Sequence, residues 1–209
     1  MLKHTEPSDW VNRMVAVVKP NKIRICIDPR DLNEAIKREH FPMTTIEEVV
    51  ADMPQAKIFS VLDAISGYWQ VKLDEESSKL CTFNTPFGRY RFTKLPFGIK
   101  SAPEVFQNCM YDLFADLEGV KVIVVDLLIW GKDEAEHDAR SKQVLDRARE
   151  VNLKFNAKKC QIKQEEGPYV GHVLSKEDLK PDPEKTRAVQ PMKHPENTKE
   201  LKTFLGFIQ

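Results

Sequence analysis

The chain has 209 residues, of which 41% are hydrophobic and 31% are charged, and these proportions are ordinary for a globular protein with one large or two small cores. Lysine and arginine together number 32, as do aspartate and glutamate, so net charge alone does not indicate a polyanionic partner. No apolar run approaches transmembrane length and no signal-peptide pattern opens the chain, which excludes a membrane-spanning class and leads us to expect an intracellular location, cytoplasmic or nuclear.

The first half of the chain alternates strand and helix signals. The stretch "NRMVAVVKPNKIRICIDPRDLN" predicts two strands around a short "PNK" turn. The stretch "TTIEEVVADM" predicts a short helix with Thr44 or Thr45 as its N-cap. The nearly continuous apolar run "KIFSVLD" predicts a buried central strand that ends at Asp63, and "LCTFNTPFGRYRFTKLP" predicts a hairpin that turns at "TPFG".

The second half begins with a helical pattern, "SAPEVFQNCMYDLFADLEG", with Ser101 as N-cap, Pro103 in the first turn and Gly119 as the end. The stretch "GVKVIVVDLLIWG" then predicts a tight hairpin with Asp126 at its tip. A second long helix is predicted at "KDEAEHDARSKQVLDRAREVN". Short strands are predicted at "LKFN", "CQIK" and "PYVGHVLS", followed by two helices separated by prolines.

The order of strand, helix, hairpin and helix around Asp63 and Asp126 matches a split β-α-β-β-α-β sheet, in which the two aspartate-bearing strands lie side by side. Two strand-end carboxylates are what a magnesium-dependent phosphoryl-transfer site needs. The apolar C-terminal stretch "LKTFLGFIQ" leads us to expect a fragment of a longer protein. The cysteines form no CxxC pair and are interpreted as free intracellular thiols: Cys26, Cys81, Cys109 and Cys160.

Six stretches carry a resemblance to a known family. They are "RICIDPRDLN", "VLDAISGYWQVKLDEESSKLCTFNTPFGRYRF", "LPFGIKSAPEVFQ", "LLIWG", "LKFNAKKCQ" and "YVGHVLS". In order and spacing they resemble the reverse transcriptase of gypsy-type (Metaviridae) long-terminal-repeat retrotransposon Pol polyproteins. The resemblance implies an α+β right-hand polymerase fold with fingers at about 1–38 and 71–100, a palm at 39–70 and 101–175, and a truncated thumb at 176–209.

The resemblance also implies an activity, cofactors and partners. The family members are RNA-directed DNA polymerases that add deoxynucleoside triphosphates to an RNA or DNA primer-template by two-metal nucleotidyl transfer with Mg²⁺. The family normally continues into the rest of the thumb, a connection and an RNase H domain, none of which these residues match. We therefore expect no RNase H cleavage from this sequence.

The metal ligands are where the sequence departs from the family. Asp63 matches the first carboxylate, although an aspartate that caps the following short helix is the alternative. The family has two adjacent aspartates before "LLIW", of which the first is the direct ligand and the second supports it; here the pair is Val125 and Asp126. Adjacent strand residues face opposite sides, so Asp126 does not simply replace its neighbour. We expect an inactive or strongly impaired enzyme.

Other residues match nucleotide-binding positions of the family. Arg24 matches the arginine that grips the triphosphate, with Lys22 or Lys19 as a second cation; the alternative is a solvated hairpin edge. The family usually has a glycine after the asparagine of the "PNK" turn, so the fingertip geometry departs from the pattern. Tyr68 matches the aromatic gate that excludes a 2′-hydroxyl, and its alternative is a core aromatic beside Trp69.

The segment "LPFG", with Gln107, resembles the part of the family that contacts template and nucleotide. Phe97 would pack on the incoming nucleotide and Gly98 would allow close backbone approach; the alternative is a plain linker. In "NAKKC", Lys158 or Lys159 matches the lysine that protonates the leaving pyrophosphate, and we favour Lys159 among site residues, with a solvated basic pair as the alternative.

Two further patterns concern the nucleic acid and the histidines. "YVGH" resembles the primer grip, whose glycine turn holds the primer end. His4, His40 and His137 have no metal-ligand spacing and are interpreted as surface residues. Basic residues that concentrate in the proposed fingers favour a groove for the phosphate backbone: Lys19, Lys22, Arg24, Arg30, Arg38, Arg89, Arg91 and Lys94.

The sequence is consistent with three hypotheses about function. The first is a polymerase domain damaged at one metal ligand. The second is a non-catalytic module that binds primer-template or nucleotide, and the third is a decaying remnant. Salt-dependent nucleic-acid binding separates the second from the third, and primer extension tests the first.

Overall fold

The computed structural model describes residues 1–5, 8–19, 22–38, 45–53, 55–123, 126–169, 172–174, 179–181, 187, 195 and 197–208. Among them are the strands β1 Leu2–His4, β2 Arg13–Lys19, β3 Lys22–Asp28, β4 Ile58–Asp63, β5 Thr82–Thr85, β6 Gly88–Phe92, β7 Val120–Ile123, β8 Asp126–Gly131, β9 Gln161–Gln164, β10 Gly167–Tyr169, β11 His172–Leu174 and β12 Leu179–Pro181. The helices are α1 Arg30–Ala35, α2 Ile46–Ala51, α3 Glu75–Leu80, α4 Ala102–Phe114, α5 Glu134–Glu150 and α6 Thr198–Ile208, with a 3-10 helix at Gly67–Gln70.

The central sheet has the order β7-β8-β4-β9, and all of its pairs are antiparallel. The chain passes from β4 through α4 to the β7–β8 hairpin and then through α5 to β9, with α3, β5 and β6 inserted before α4. This is the split β-α-β-β-α-β arrangement predicted from the sequence. The prediction that the two aspartate-bearing strands are neighbours is also confirmed, because β4 pairs directly with β8.

The two faces of this sheet bury different clusters, since successive strand residues point to opposite sides. On one face Leu62 and Leu127 pack with Phe106 of α4 and Val144 of α5. On the other, Phe59 of β4 packs in a cluster with Val49 of α2 and Trp130 of β8. By alternation from Phe59, the last residue of β4 belongs to the α2 side, where the site described below lies.

The N-terminal strands and the inserted segment together form a second packed region. Strands β1, β6 and β5 make a three-stranded sheet, and β2 pairs with β3 as a separate ribbon. Phe83 and Phe92 of the sheet are buried with Ile27 of β3 and Leu32 of α1. Both predicted hairpins are therefore present, and one apolar cluster joins them.

Two helix boundaries show what the local sequence does and does not determine. Of the two predicted N-caps, Thr45 is the one that caps α2. Its hydroxyl accepts a hydrogen bond from the Glu48 amide, and the Glu48 side chain completes a capping box. The predicted end of α4 at Gly119 is wrong, because the helix ends at Phe114. Arg147 donates a hydrogen bond to the Leu113 carbonyl at 2.6 Å, which satisfies a terminal acceptor that sequence spacing does not reveal.

The remaining predictions are mixed in outcome. Helix α5 begins after Asp133, whose side chain accepts from the Glu136 amide. The strand predicted at "CQIK" is present as β9, shifted by one residue to Gln161–Gln164. Of the two predicted C-terminal helices, the second is α6, and the first falls mostly outside the described residues. All four cysteines are free thiols. Within the described part of the chain, no helix is long and apolar enough to cross a bilayer.

Candidate active site

Two carboxylates meet at one end of the central sheet. Asp63 is the last residue of β4, Asp126 is the first residue of β8, and the two are directly opposite each other in the antiparallel register. Residues opposite each other on neighbouring strands project from the same face. The Asp63 side chain is only 17% exposed, and Asp126 is partly buried. Val124 and Val125, which connect β7 to β8, lie outside the described residues.

The electrostatics of this pair follow from its geometry. Burial raises the pKa of Asp126, because the charged form loses contact with water. The negative charge of Asp63 raises the pKa of Asp126 further, and the positive charge of Lys159 acts in the opposite direction. Burial and repulsion by Asp63 therefore disfavour the charged form of Asp126, and a cation beside the two carboxylates relieves that repulsion.

A lysine already lies against the carboxylates. Lys158 and Lys159 are both exposed residues, and the Lys159 ammonium is 2.9 Å from Asp63 Oδ2. The backbone holds this turn in place, because the Asn156 amide donates to the Asp63 carbonyl at 2.8 Å and the Lys159 amide donates to the Asn156 carbonyl at 2.8 Å. Of the two lysines left open by the sequence, the structure brings Lys159 to the carboxylates.

The donor set suits one hard divalent cation better than two. Asp63 and Asp126 offer carboxylate oxygens, which Mg²⁺ prefers, on a shared and partly exposed face. Among the described residues there is no group of three or more histidine, cysteine, aspartate or glutamate side chains that could hold a metal ion. Position 125 adds only an aliphatic side chain according to the sequence. The pair therefore fits a divalent cation, held by one carboxylate fewer than the family pattern supplies.

Several residues predicted to contact a nucleotide form one aromatic and cationic cluster. The Arg24 guanidinium carbon lies 4.1 Å from the centre of the Phe97 ring, which is cation–π geometry. The Tyr68 ring centre is 5.0 Å and the Trp69 ring centre 5.6 Å from that of Phe97. The Ile27 amide donates to the Phe97 carbonyl at 3.1 Å, so strand β3 is attached to the segment that carries Phe97.

The polar groups of this cluster are partly desolvated. Arg24 Nε is buried and makes no hydrogen bond within the described part of the protein. Burial raises the pKa of the Tyr68 hydroxyl, and the charge of Glu104 raises it further. Tyr68 also makes an edge contact with Phe106, with ring centres 5.7 Å apart, so it combines a core role with a position beside Phe97. The side chains of Lys19 and Lys22 are outside the described part of the chain.

Two other predicted nucleotide contacts have a structural role. Gly98 has a φ of +114°, and a Cβ built on it would lie 1.9 Å from the carbonyl oxygen of Ile27. Its missing side chain thus admits the protein's own backbone. Gln107 is 1% exposed, and its amide donates to the Val122 carbonyl at 2.7 Å. Gln107 therefore attaches α4 to the hairpin that carries Asp126.

One of the basic residues predicted to line the nucleic-acid groove, Arg91, is buried. Arg91 is 4% exposed and pairs with Glu75 at 2.7 Å, so it does not face solvent as a groove residue would. Arg38 pairs with the buried Glu104 at 2.7 Å. Lys94 donates to the Gln70 carbonyl at 3.1 Å. A count of basic residues in the sequence does not show which of them form ion pairs with residues distant in the chain.

The predicted primer grip is described only in part. Tyr169 and His172 pair across β10 and β11, while Val170 and Gly171 lie outside the described residues. The two strands pair in antiparallel register, with Gly167 opposite Leu174.

The interpretation of His137 as a surface residue is wrong. His137 is fully buried, and its Nε2 atom lies 2.8 Å from the Ser60 hydroxyl. The Lys163 amide donates to that hydroxyl at 3.0 Å, so Ser60 connects α5 and β9 to the strand that ends at Asp63. His4 is exposed, as expected, and His40 is outside the described residues. The signal in the sequence was helical spacing, because His137 lies seven residues before buried Val144 on one face of α5.

Comparisons with known proteins agree with this architecture. Residues 12–174 match the family model described as reverse transcriptase (RNA-dependent DNA polymerase). The Pol polyprotein of the Drosophila melanogaster transposon gypsy is 34% identical over 189 residues, and that of transposon 297 is 31% identical over 188 residues. These matches cover 90% and 89% of this chain, and the chain spans 18% of the length of each polyprotein.

Solved structures give the same fold. A foamy viral protease-reverse transcriptase determined in complex with double-stranded DNA superposes with a TM-score of 0.89 at 22% identity, covering 99% of this chain and 36% of that one. A second foamy viral structure, in complex with an RNA/DNA hybrid, has a TM-score of 0.85 at 21% identity and covers 99% of this chain and 28% of its own. The fold is that of a right-hand polymerase, and by the extent of the family match this chain belongs to the reverse transcriptase family.

Proposed function

We propose that this chain is a reverse transcriptase domain fragment of a retrotransposon Pol polyprotein whose polymerase activity is absent or strongly impaired. The observation that carries the proposal is the direct pairing of Asp63 with Asp126 on adjacent strands, next to a position that holds valine. The fingers comprise 1–38 and 71–100, the palm 39–70 and 101–175, and the start of the thumb 176–209. This division is supported by the β1-β6-β5 sheet, in which the first strand of the chain pairs with the inserted hairpin as a sheet distinct from the central one.

The carboxylates are the proposed ligands of Mg²⁺. When bound, divalent ions neutralise the attacking and leaving oxygens of an in-line displacement at a phosphate. Asp63 and Asp126 orient their oxygens toward one face of the sheet, where a primer 3′-hydroxyl and the α-phosphate of a nucleotide would meet. Lys159 Nζ, at the same edge, is the proposed proton donor to the leaving pyrophosphate.

The aromatic and cationic cluster is the proposed site for the deoxynucleoside triphosphate. Phe97 lies 4.1 Å from the Arg24 guanidinium carbon, and we propose that this contact holds the N–H groups ready for phosphate oxygens. Tyr68 lies beside Phe97 and is the proposed steric gate against a ribose 2′-hydroxyl. Gln107 acts indirectly in this proposal, since it holds the hairpin and not the nucleotide.

An RNA or DNA primer-template is the proposed macromolecular partner. The foamy viral structures contain double-stranded DNA and an RNA/DNA hybrid, and those ligands belong to those proteins. For this chain, the exposed Arg30 and the partly exposed Arg89 of the fingers supply positive charge despite a net charge of zero. Binding through phosphates releases counterions, so affinity should fall steeply as salt rises.

The size of the proposed defect follows from charge. Replacing a ligand carboxylate by valine removes one negative charge beside two divalent ions, a term of several kcal/mol in metal binding and transition-state stabilisation. Since about 1.4 kcal/mol corresponds to ten-fold in rate, the loss is on the order of a thousand-fold or more.

Primer extension with purified protein tests the proposal. We compare the natural chain with Val125→Asp and with Val125→Asn, which has nearly the shape of aspartate but no charge. Each protein is assayed with Mg²⁺ and then with Mn²⁺. We expect extension only from Val125→Asp, and abolition of that activity when Asp63→Asn is added. Equal extension by the natural chain and by Val125→Asp would refute the proposed defect.

A non-catalytic binding module is the second candidate. The observation that favours it is the Arg24–Phe97 cluster, whose cation–π and ring contacts are made without the Asp63–Asp126 pair. A mobility-shift titration of a primer-template at two salt concentrations tests it, with salt-dependent binding as the expected result. Absence of binding together with non-cooperative unfolding would support the remnant instead.

A further inference from the structure

The positive charge that lies beside the carboxylate pair is the ammonium group of Lys159. The Lys159 ammonium lies 2.9 Å from Asp63 Oδ2, at the edge where Asp63 faces Asp126. The proposed function makes these carboxylates the ligands of a divalent ion. Two carboxylates and one ammonium leave a net charge of −1, whereas a third carboxylate at position 125 would leave −2.

Backbone hydrogen bonds hold the turn that carries Lys159 next to Asp63. Phe155 forms an isolated antiparallel bridge with Ala64, the residue that follows Asp63. The next residue, Asn156, accepts from both the Lys159 and Cys160 amides, at 2.8 and 3.0 Å, and donates to the Asp63 carbonyl. The turn that carries the lysine is therefore hydrogen-bonded to the residue that its side chain contacts.

The two partners of the Asp63–Lys159 ion pair differ in their exposure to solvent. The side chain of Asp63 is 17% exposed and that of Lys159 is 65% exposed. The carboxylate is thus fixed in the sheet, and the ammonium approaches it from the solvent side on a flexible stem. The ammonium can leave into water at low cost, whereas the carboxylate cannot.

An ammonium and a divalent ion cannot share this oxygen favourably. Mg²⁺ binds carboxylate oxygens at about 2.0–2.1 Å and holds its shell rigidly. An ammonium hydrogen-bonded to the same carboxylate would lie a few Å away from it and repel it. Binding of the divalent ion therefore requires Lys159 to withdraw.

We infer that Lys159 is the resident cation of the Asp63–Asp126 pair and competes with divalent ions for it. The affinity of this site for a divalent ion is then set by the exchange of one cation for another. With one carboxylate missing, the attraction for the divalent ion is reduced, and the tethered ammonium is favoured. The same exchange would release Lys159 Nζ toward a leaving pyrophosphate. This inference rests on the proposed metal site.

The test measures Mn²⁺ binding directly, with electron paramagnetic resonance reporting the free ion. Lys159→Met removes the competing charge and keeps the length of the side chain, and Lys158→Met is the matched control because Lys158 is exposed and adjacent. We expect Lys159→Met to bind Mn²⁺ about ten-fold or more tightly than the natural chain, which corresponds to about 1.4 kcal/mol. The Lys158→Met affinity should stay within about two-fold of the natural value.

A second measurement needs no variant. Lysine acylation followed by mass spectrometry reports the reactivity of Lys159 in the natural chain, with and without Mn²⁺. We expect Mn²⁺ to increase labelling at Lys159 and to leave Lys158 unchanged. This readout keeps the inference testable even if a substitution disturbs folding.

The outcomes separate this inference from the proposed function. Equal Mn²⁺ affinity of Lys159→Met and the natural chain, with tighter binding by Val125→Asp, would overturn the competition and leave the proposed metal site standing. Weaker binding by Lys159→Met would also overturn it. Absence of Mn²⁺ binding in every variant, including Val125→Asp, would overturn both.

Discussion

Among the glycines that the structure describes, Gly98 is the one where an added Cβ would make the shortest contact. The φ of +114° at Gly98 costs a residue with a side chain on the order of 1–3 kcal/mol. The new Cβ would lie 1.9 Å from the Ile27 carbonyl oxygen, where ordinary contacts are 3.4–4 Å. Relieving the clash pulls the segment away from β3 and breaks the bond from the Ile27 amide to the Phe97 carbonyl. An unpaired buried amide costs about 1–3 kcal/mol more.

The sum is a loss of about 2–6 kcal/mol, a large part of the 5–15 kcal/mol that is typical for a domain. Urea unfolding followed by circular dichroism measures it. Gly206→Ala is the matched control, because its Cβ would meet nothing within 4 Å and it lies within α6. Alanine should stabilise that helix by up to about 1 kcal/mol. A Gly98→Ala protein within about 1 kcal/mol of the natural chain would refute the reasoning.

Two other predictions concern the central sheet. His137→Ala should destabilise the fold by about 2–4 kcal/mol, because it leaves a cavity and removes a partner of the buried Ser60 hydroxyl. The control is His4→Ala, since His4 is exposed. Equal unfolding midpoints of the two variants in urea would contradict the prediction. Asp126→Asn should stabilise the protein at neutral pH. Because the folded state raises the pKa of Asp126, it retains a proton that the unfolded chain releases, so stability falls as pH rises from the ordinary carboxyl range through the raised pKa. Urea unfolding from about pH 4 to pH 7 should show a flatter profile for Asp126→Asn, and an unchanged profile would contradict this cause.

The sheet around the carboxylates could be predicted because local and global signals agree there. The run "KIFSVLD" is apolar because β4 is covered on both faces, and that is the pattern a central strand requires. The hairpin at Asp126 has the same property, with five buried residues in β8 after the aspartate. Once both strands and the helices between them were identified, the topology placed Asp63 beside Asp126.

Other parts of the site depend on contacts between distant segments, which periodicity does not show. The absent side chain of Gly98 allows the Ile27 carbonyl to approach, and the Gln107 amide donates a hydrogen bond to the Val122 carbonyl. Both residues occur in a segment whose sequence predicts contact with the nucleotide. His137 was misplaced because a histidine among charged residues has the composition of a surface. Its position on the buried stripe of α5 was the better guide.

The central claim is that this chain holds too little negative charge for two divalent ions. Crystals of the natural chain and of Val125→Asp, soaked with Mn²⁺ and a deoxynucleoside triphosphate, test it through anomalous diffraction at the manganese edge. The account predicts two strong manganese peaks beside Asp63 and Asp126 in Val125→Asp, and no more than one weak peak in the natural chain. Two fully occupied manganese sites in the natural chain would contradict it.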